Sequence, residues 1–180
     1  NITLEMLNDE TNTNENIVGW KTKGWNTMIL SKLKCIHKEL LSNPYVFYTD
    51  SDIVFENNYS LQYLIDNLKE YDMCIQQNTK ESNYPLNTGF MFIKSNETMK
   101  QLFDWRKINL ETFTCDQDYI NENKATFNYH VLTRDFFPTE YYYYVNYTEY
   151  SPDFMIFHFN YFAGKTKKER MINMNKWYLD

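Results

Sequence analysis

The hydrophobic pattern switches between helical and strand-like periods along most of the chain. From Trp25 the apolar positions Trp25, Met28, Ile29, Leu33, Ile36 and Leu40 recur at steps of three and four, the repeat of one helix face. Asn43-Pro44 ends that helix, because proline disfavours helical backbone in the residue before it. Tyr45–Thr49 is a short continuous apolar run, the pattern of a strand covered on both faces. Ser60 can cap a second helix carrying Leu61, Leu64, Ile65 and Leu68. Met73–Gln76 reads as a strand, residues 77–86 as a polar loop with Pro85, and Phe90–Ile93 as a further strand. Ser95 or Asn96 can cap a helix with Met99, Leu102, Phe103 and Arg106. Phe127–Leu132, Tyr141–Val145 and Phe154–Phe159 read as later strands, and a lysine-rich helix closes the chain. This order predicts a layered α/β fold. No repeat and no second boundary divides residues 1–180, so one domain is expected, opened by a polar segment over residues 1–24.

Composition narrows the function. At 180 residues, 43% hydrophobic and 18% aromatic, the chain can bury a full core and is too apolar for disorder. A net charge of −6 and a pI near 5.1 argue against general nucleic-acid binding, which needs a basic face. No apolar run approaches the roughly 18 residues of a membrane span. No secretory-signal pattern is present, and the chain begins at Asn1 rather than Met, as a trimmed or processed product does. Cys35, Cys74 and Cys115 are odd in number and lack metal-site spacing, so they read as small buried residues. Sequons at Asn1, Asn58, Asn96 and Asn146 are what so Asn- and Thr-rich a chain produces by chance, and the compartment stays open between cytoplasm and secretory lumen.

Four segments carry candidate chemistry. In YVFYTDSDIVFEN, Asp50 and Asp52 follow an apolar strand. Two bare carboxylates this close repel, and a divalent cation with a taste for oxygen, Mg²⁺ or Mn²⁺, resolves the conflict. Solvated turn aspartates would also explain the pair. So would a haloacid-dehalogenase-like phosphatase, in which Asp50 attacks phosphorus and Asp52 acts as acid and base; the later motifs of that family are not in convincing positions. In PLNTGF, Asn87 can hydrogen-bond sugar hydroxyls and Gly89 lets a ligand approach the backbone, though an ordinary turn fits as well. Asp116, Gln117 and Asp118 open a helix, where the dipole alone favours acids. In FHFNYFAGKTKKERM, His158 and Asn160 lie two apart at a strand end, so both can face one cavity. Gly164 with Lys165, Lys167 and Lys168 then resembles a phosphate-binding helix start. Each of these also has a structural explanation: a core histidine and a solvated lysine face.

Taken in order, YTDSDIVF, LNTGFMFIKSNETMKQLFDW, DQDYIN and HFNYFAGKTKKERM resemble the motifs of the nucleotide-diphospho-sugar transferase family, from about Trp25 to about Trp177. These are retaining glycosyltransferases of GT-A fold, including plant cell-wall xylosyl- and arabinosyltransferases. The resemblance implies a GT-A-like, Rossmann-type mixed sheet flanked by helices. It implies transfer of a sugar, with retention, from a nucleotide-diphosphate sugar, by analogy a UDP-sugar, to a glycan or glycoprotein. Asp50 and Asp52 match the D-x-D that holds the donor's ribose and a Mn²⁺ or Mg²⁺, and His158 matches the late metal ligand. Gly164 with Lys165 or Lys168 matches the diphosphate contacts. Asn87, Thr88 and Gly89 match the sugar-facing loop, and Asp116, Gln117 and Asp118 the segment beside the transferred sugar. Lys32 or Lys34 can face the donor from the preceding helix. GT-A enzymes begin with a βαβ unit, and residues 1–24 show no apolar strand of that kind. Either that unit is missing, or NITLEML is its remnant. An inactive glycan-binding relative, with the sixteen tyrosines as a stacking surface, is the non-enzymatic alternative.

Overall fold

A computed structural model describes residues 23–57, 60–78, 83–109, 112–146, 153–160 and 164–178. The polar N-terminal segment and the question of a first βαβ unit lie outside them, except that Lys23 and Gly24 already open a helix.

Helix α1 spans Lys23–Ser42 and buries Ile29, Leu33, Ile36 and Leu40, the expected stripe. Beyond it, the Asn43 side chain folds back onto the Glu39 carbonyl (3.2 Å) and carboxylate (2.8 Å), which closes the helix end before Pro44. Strand β1 (Tyr45–Thr49) follows, then β2 (Ile53–Phe55), α2 (Ser60–Asn67), β3 (Met73–Gln77), β4 (Leu86–Lys94), α3 (Glu97–Leu102), α4 (Asp116–Glu122), β5 (Tyr129–Leu132), α5 (Glu140–Asn146), β6 (Ile156–His158) and α6 (Gly164–Asn173).

The main sheet runs β1-β4-β3-β5, with β4 antiparallel to β1 and β3, and β3 parallel to β5. The small sheet pairs β2 with β6, antiparallel. Side chains alternate across the main sheet. Met73, Ile75, Met91 and Ile93 join α1, α3 and Ile120 of α4 on one face; Cys74, Phe90 and Phe92 join Leu64, Leu68, Phe137 and Ile156 on the other. A third cluster of Val54, Phe157, Phe159 and Met171 seats α6 on the small sheet. The result is a mixed α/β fold, a mixed sheet with helices on both faces, as the sequence led one to expect.

Several elements differ from expectation. β1 has the expected bounds but lies at the margin of the described sheet, with Tyr45 52% and Phe47 39% exposed, so its apolar run is not buried on both faces. Its exposed rings lean on Phe92, Phe90 and Phe55. β4, buried from Leu86 to Ile93, starts before Phe90 and takes in Asn87, Thr88 and Gly89. The β3–β4 register jumps from Ile75↔Met91 to Gln76↔Asn87, so Thr88, Gly89 and Phe90 bulge out of that ladder. The helix capped by Asn96, whose side chain accepts from Met99 N at 2.9 Å, ends before Arg106, because the Asp104 carboxylate starts a separate 3₁₀ turn over Trp105–Lys107.

Tyr141–Val145 is helical, not a strand. Thr139 caps α5, its hydroxyl accepting from Tyr142 N at 3.3 Å and its carbonyl from Tyr143 N at 3.1 Å. That cap prevails over the weak strand preference of tyrosine, which depends on context. β5 and β6 are shorter than the runs that announced them.

Candidate active site

The D-x-D straddles the passage between the two sheets. Asp50 extends the β1–β4 ladder by one bond, its N–H donating to the Gly89 carbonyl at 2.7 Å. Asp52 stands at the head of β2, and its carbonyl accepts from Phe159 N at 2.9 Å. Ile53 pairs with His158 in the small sheet. Each aspartate is therefore fixed by a different sheet, and the turn between them aims both carboxylates at the end of β6. One ligand atom each from Asp50, Asp52 and His158 lies within 4.8 Å of the others.

His158 is 2% exposed. Its Nε2 lies 3.3 Å from Asp52 Oδ1 and 3.8 Å from Asp50 Oδ2, and it is buried without a hydrogen bond. A buried imidazole nitrogen turned toward two carboxylates suits a divalent cation that prefers oxygen and accepts imidazole. The three residues thus fit the Mn²⁺ or Mg²⁺ that the D-x-D implies. Asn160 does not share this strand end: its N–H turns back to the His158 carbonyl at 3.0 Å, so the alternation expected of a strand is lost after His158.

Lys32, not Lys34, enters the site. Its ammonium lies 2.7 Å from Asp116 Oδ2 and 3.6 Å from Asp50 Oδ1, and donates to the Thr88 carbonyl at 2.9 Å. It also lies over the Tyr48 ring at 4.4 Å. Lys34 reaches over the Trp105 ring instead. Burial opposes the charge of Lys32, but Asp116 and Asp50 prevail and hold its pKa above the ordinary lysine value. Burial opposes ionisation of Asp116 too, and Lys32 and Thr88 hold its carboxyl below the usual carboxylate range. Tyr48 donates to Asp50 Oδ1 at 2.7 Å; burial, with Asp50 beside it, pushes its hydroxyl above the ordinary tyrosine range.

Asn87 is buried, and its Oδ1 accepts from Gly89 N at 2.8 Å while Nδ2 reaches Asn78 at 3.4 Å. Gly89 is where the bulge touches the site. A Cβ there would overlap the His158 ring and lie 2.7 Å from Asp50 Oδ2 and 2.9 Å from Asn87 Oδ1, so only glycine fits.

At the head of α4 only Asp116 of the three expected residues is drawn into the cluster, through Lys32. Asp118 reaches back to Thr114 N at 3.2 Å as a helix cap. Gln117 is half-buried between them.

On α6 the phase of the helix decides. Lys165 is 91% exposed beside Glu169, and Lys168 lies over the Trp177 ring at 4.8 Å. Lys167 is the lysine whose ammonium meets Asp52. It falls at helical steps from Gly164 and the buried Met171, a spacing that could have singled it out in the sequence. The same reasoning favours Lys32, at steps of three and four from Ile29 and Ile36. Tyr48 and Lys167 are contacts to which the family resemblance gave no part.

The sequence pattern of the nucleotide-diphospho-sugar transferase family matches residues 2–172. Among solved structures, the chain is similar to a glycosyltransferase involved in the glycosylation of the major capsid of PBCV-1, at 15% identity and a TM-score of 0.62, covering 89% of this chain and 81% of that one. It is also similar to the glycosyltransferase GlyE of Streptococcus pneumoniae TIGR4, at 18% identity and a TM-score of 0.53, covering 77% of this chain and 41% of that one. No curated protein matches the chain by sequence.

Proposed function

The chain belongs to the nucleotide-diphospho-sugar transferase family, a glycosyltransferase class, and from that premise we propose that Asp50, Asp52 and His158 hold Mn²⁺ or Mg²⁺ at the diphosphate of a nucleotide-sugar donor. The observation that carries this reading is the meeting of three ligand atoms within 4.8 Å, from residues more than a hundred positions apart, around a buried Nε2 that has no hydrogen bond. When bound, the cation offsets the negative charge that grows on the diphosphate as its bond to the anomeric carbon breaks.

The chain's own residues have distinct parts in this reading. Lys167, beside Asp52 at the head of α6, brings a second positive charge to the leaving group, and Gly164 opens that helix toward it. Lys32 ties Asp116 and Thr88 to Asp50 and holds the floor of the site. Asn87, Thr88 and Gly89 face the sugar. Asp116 is committed to Lys32 and Asp118 to its helix cap, so among the described residues Gln117 is the member of that trio with an uncommitted side chain. It is the group assigned here to the transferred sugar, whose positive character an amide oxygen stabilises. UDP as carrier, a glycan or glycoprotein as acceptor, and retention of configuration rest on the family resemblance.

The phosphatase alternative needs Asp50 free to attack phosphorus. Here its carboxylate accepts from Tyr48 and neighbours Lys32, and family membership removes the motive for that reading.

The test is release of nucleoside diphosphate from a panel of nucleotide sugars in the presence of Mn²⁺. Release from one donor, abolished by chelation and by Asp52→Ala, is expected. Glycan binding with no donor cleavage at all would instead make this an inactive relative.

A further inference from the structure

The ring of His158 is held from behind by a residue outside every motif. Gln76 is fully buried on β3, on the sheet face of Cys74 and Phe137. Its Nε2 donates to the carbonyls of Phe137 at 2.9 Å and Pro138 at 3.3 Å, and its Oε1 lies 2.8 Å from His158 Nδ1. Carbonyl oxygens only accept, so the amide nitrogen has to face residues 137 and 138 and the amide oxygen has to face the ring. An oxygen at that place satisfies Nδ1 only when Nδ1 carries a proton. The same segment also fixes the histidine backbone: His158 N donates to the Pro138 carbonyl at 3.2 Å, and Thr139 bridges His158 in parallel.

We propose that Gln76 is a positioning residue that keeps the proton of His158 on Nδ1, so that Nε2, the nitrogen facing Asp50 and Asp52, is the one with a lone pair for a cation. The inference rests on the metal reading of the site given above. Gln77, the next residue, projects to the opposite face, so only this register brings an amide to the ring. Partners of this kind fix the tautomer and orientation of metal-binding histidines, and losing one typically costs about tenfold to a hundredfold in metal affinity.

Two measurements decide it. The first is the side-chain nitrogen spectrum of His158 in metal-free protein, assigned by loss of its signals in His158→Gln and followed to a pH where the ring is neutral. Nδ1–H with an unprotonated Nε2 is expected; the opposite tautomer overturns the proposal. The second is Mn²⁺ binding, read by electron paramagnetic resonance. Gln76→Met, checked for folding by circular dichroism, is expected to bind Mn²⁺ about tenfold to a hundredfold more weakly and to lose the single tautomer. Gln76→Glu retains an acceptor for Nδ1–H and is expected to keep the tautomer, while its second oxygen, set against the Phe137 and Pro138 carbonyls, costs stability. A folded Gln76→Met with unchanged tautomer and unchanged Mn²⁺ affinity overturns the proposal. If Gln76→Met does not fold, the spectrum of the unaltered protein decides alone. Unaltered protein that shows Nδ1–H yet binds no Mn²⁺ supports the part given to Gln76 and removes the metal from the proposed function.

Discussion

Lys32 and Asp116 form a buried ion pair at 2.7 Å that joins α1 to the head of α4. Removing one partner of such a pair leaves a buried charge alone. Lys32→Met is therefore expected to destabilise the fold by about 3 kcal/mol or more, read by urea unfolding. The pH dependence follows from the two shifts. Asp116 titrates below its ordinary value, so its contribution is complete above about pH 4 and disappears as pH falls through the lower, folded value. Lys32 titrates above its ordinary value, so its contribution is complete below about pH 10 and disappears only at higher pH. The stability difference between the unaltered protein and Asp116→Asn should be flat from about pH 5 to 9 and shrink below about pH 4. A difference that changed steadily through neutrality would show that the pair does not carry it.

Gly89 tests how closely the bulge in β4 is fitted to Asp50 and His158. In Gly89→Ala the new methyl would press on the His158 ring and on Asp50 Oδ2. Neither can yield cheaply, since the His158 ring is buried against Gln76 and the Asp50 carboxylate accepts from Tyr48. A displacement of about 1 Å at such a site costs on the order of a hundredfold in rate. Donor cleavage should fall by about that factor, with Mn²⁺ affinity falling alongside. Unchanged kinetics in a folded variant would mean that Gly89 is only a turn residue.

Much of this was legible before the structure. The α1 stripe, the Asn96 cap and the strand ending before Asp50 each depend on local chemistry: a helical period, a side-chain acceptor at the N-cap, an apolar run broken by charge. The Tyr141–Tyr144 run could not be read, because four like residues carry no period; Thr139 just before them held the answer. β1 was misjudged because burial on both faces is set by which strands flank it, a long-range property. Gln76 belongs to no motif. Its signal was a polar residue at the end of MCIQQ, a strand buried along its whole length, where an amide has to be satisfied.

The three lysines of α6 should separate by helical phase. Lys167→Ala removes the ammonium beside Asp52 and is expected to weaken donor use by about tenfold to a hundredfold, the loss of one charge-assisted bond. Lys165→Ala and Lys168→Ala remove groups committed to Glu169 and Trp177, and should leave donor KM within about twofold, as for other exposed pairs. Steady-state kinetics on the three variants settles which lysine meets the diphosphate. A larger effect from Lys165 or Lys168 would return the part to the residue that the sequence resemblance first assigned.

Asn121 fixes where α4 sits, and with it Asp116. Its buried side chain treats Leu86 as a strand partner would: Oδ1 accepts from Leu86 N at 3.0 Å and Nδ2 donates to Leu86 O at 2.9 Å. The same nitrogen donates to Gln117 O at 2.7 Å. Leu86 opens β4 one residue before Asn87, so this clamp ties the head of α4 to the bulge in β4. Asn121→Ala would leave two buried backbone groups of Leu86 unpaired, at about 1–3 kcal/mol each. The expected loss is about 2–4 kcal/mol in urea unfolding, with kcat falling even where the protein is still folded, because Asp116 and Gln117 lose their register on β4. Asn123→Ala is the control: its Nδ2 bonds only its own helix, at Tyr119 O, and lies partly exposed. It should cost about 1 kcal/mol and leave kcat alone. Equal effects from the two variants would mean that the clamp adds nothing beyond an ordinary hydrogen bond.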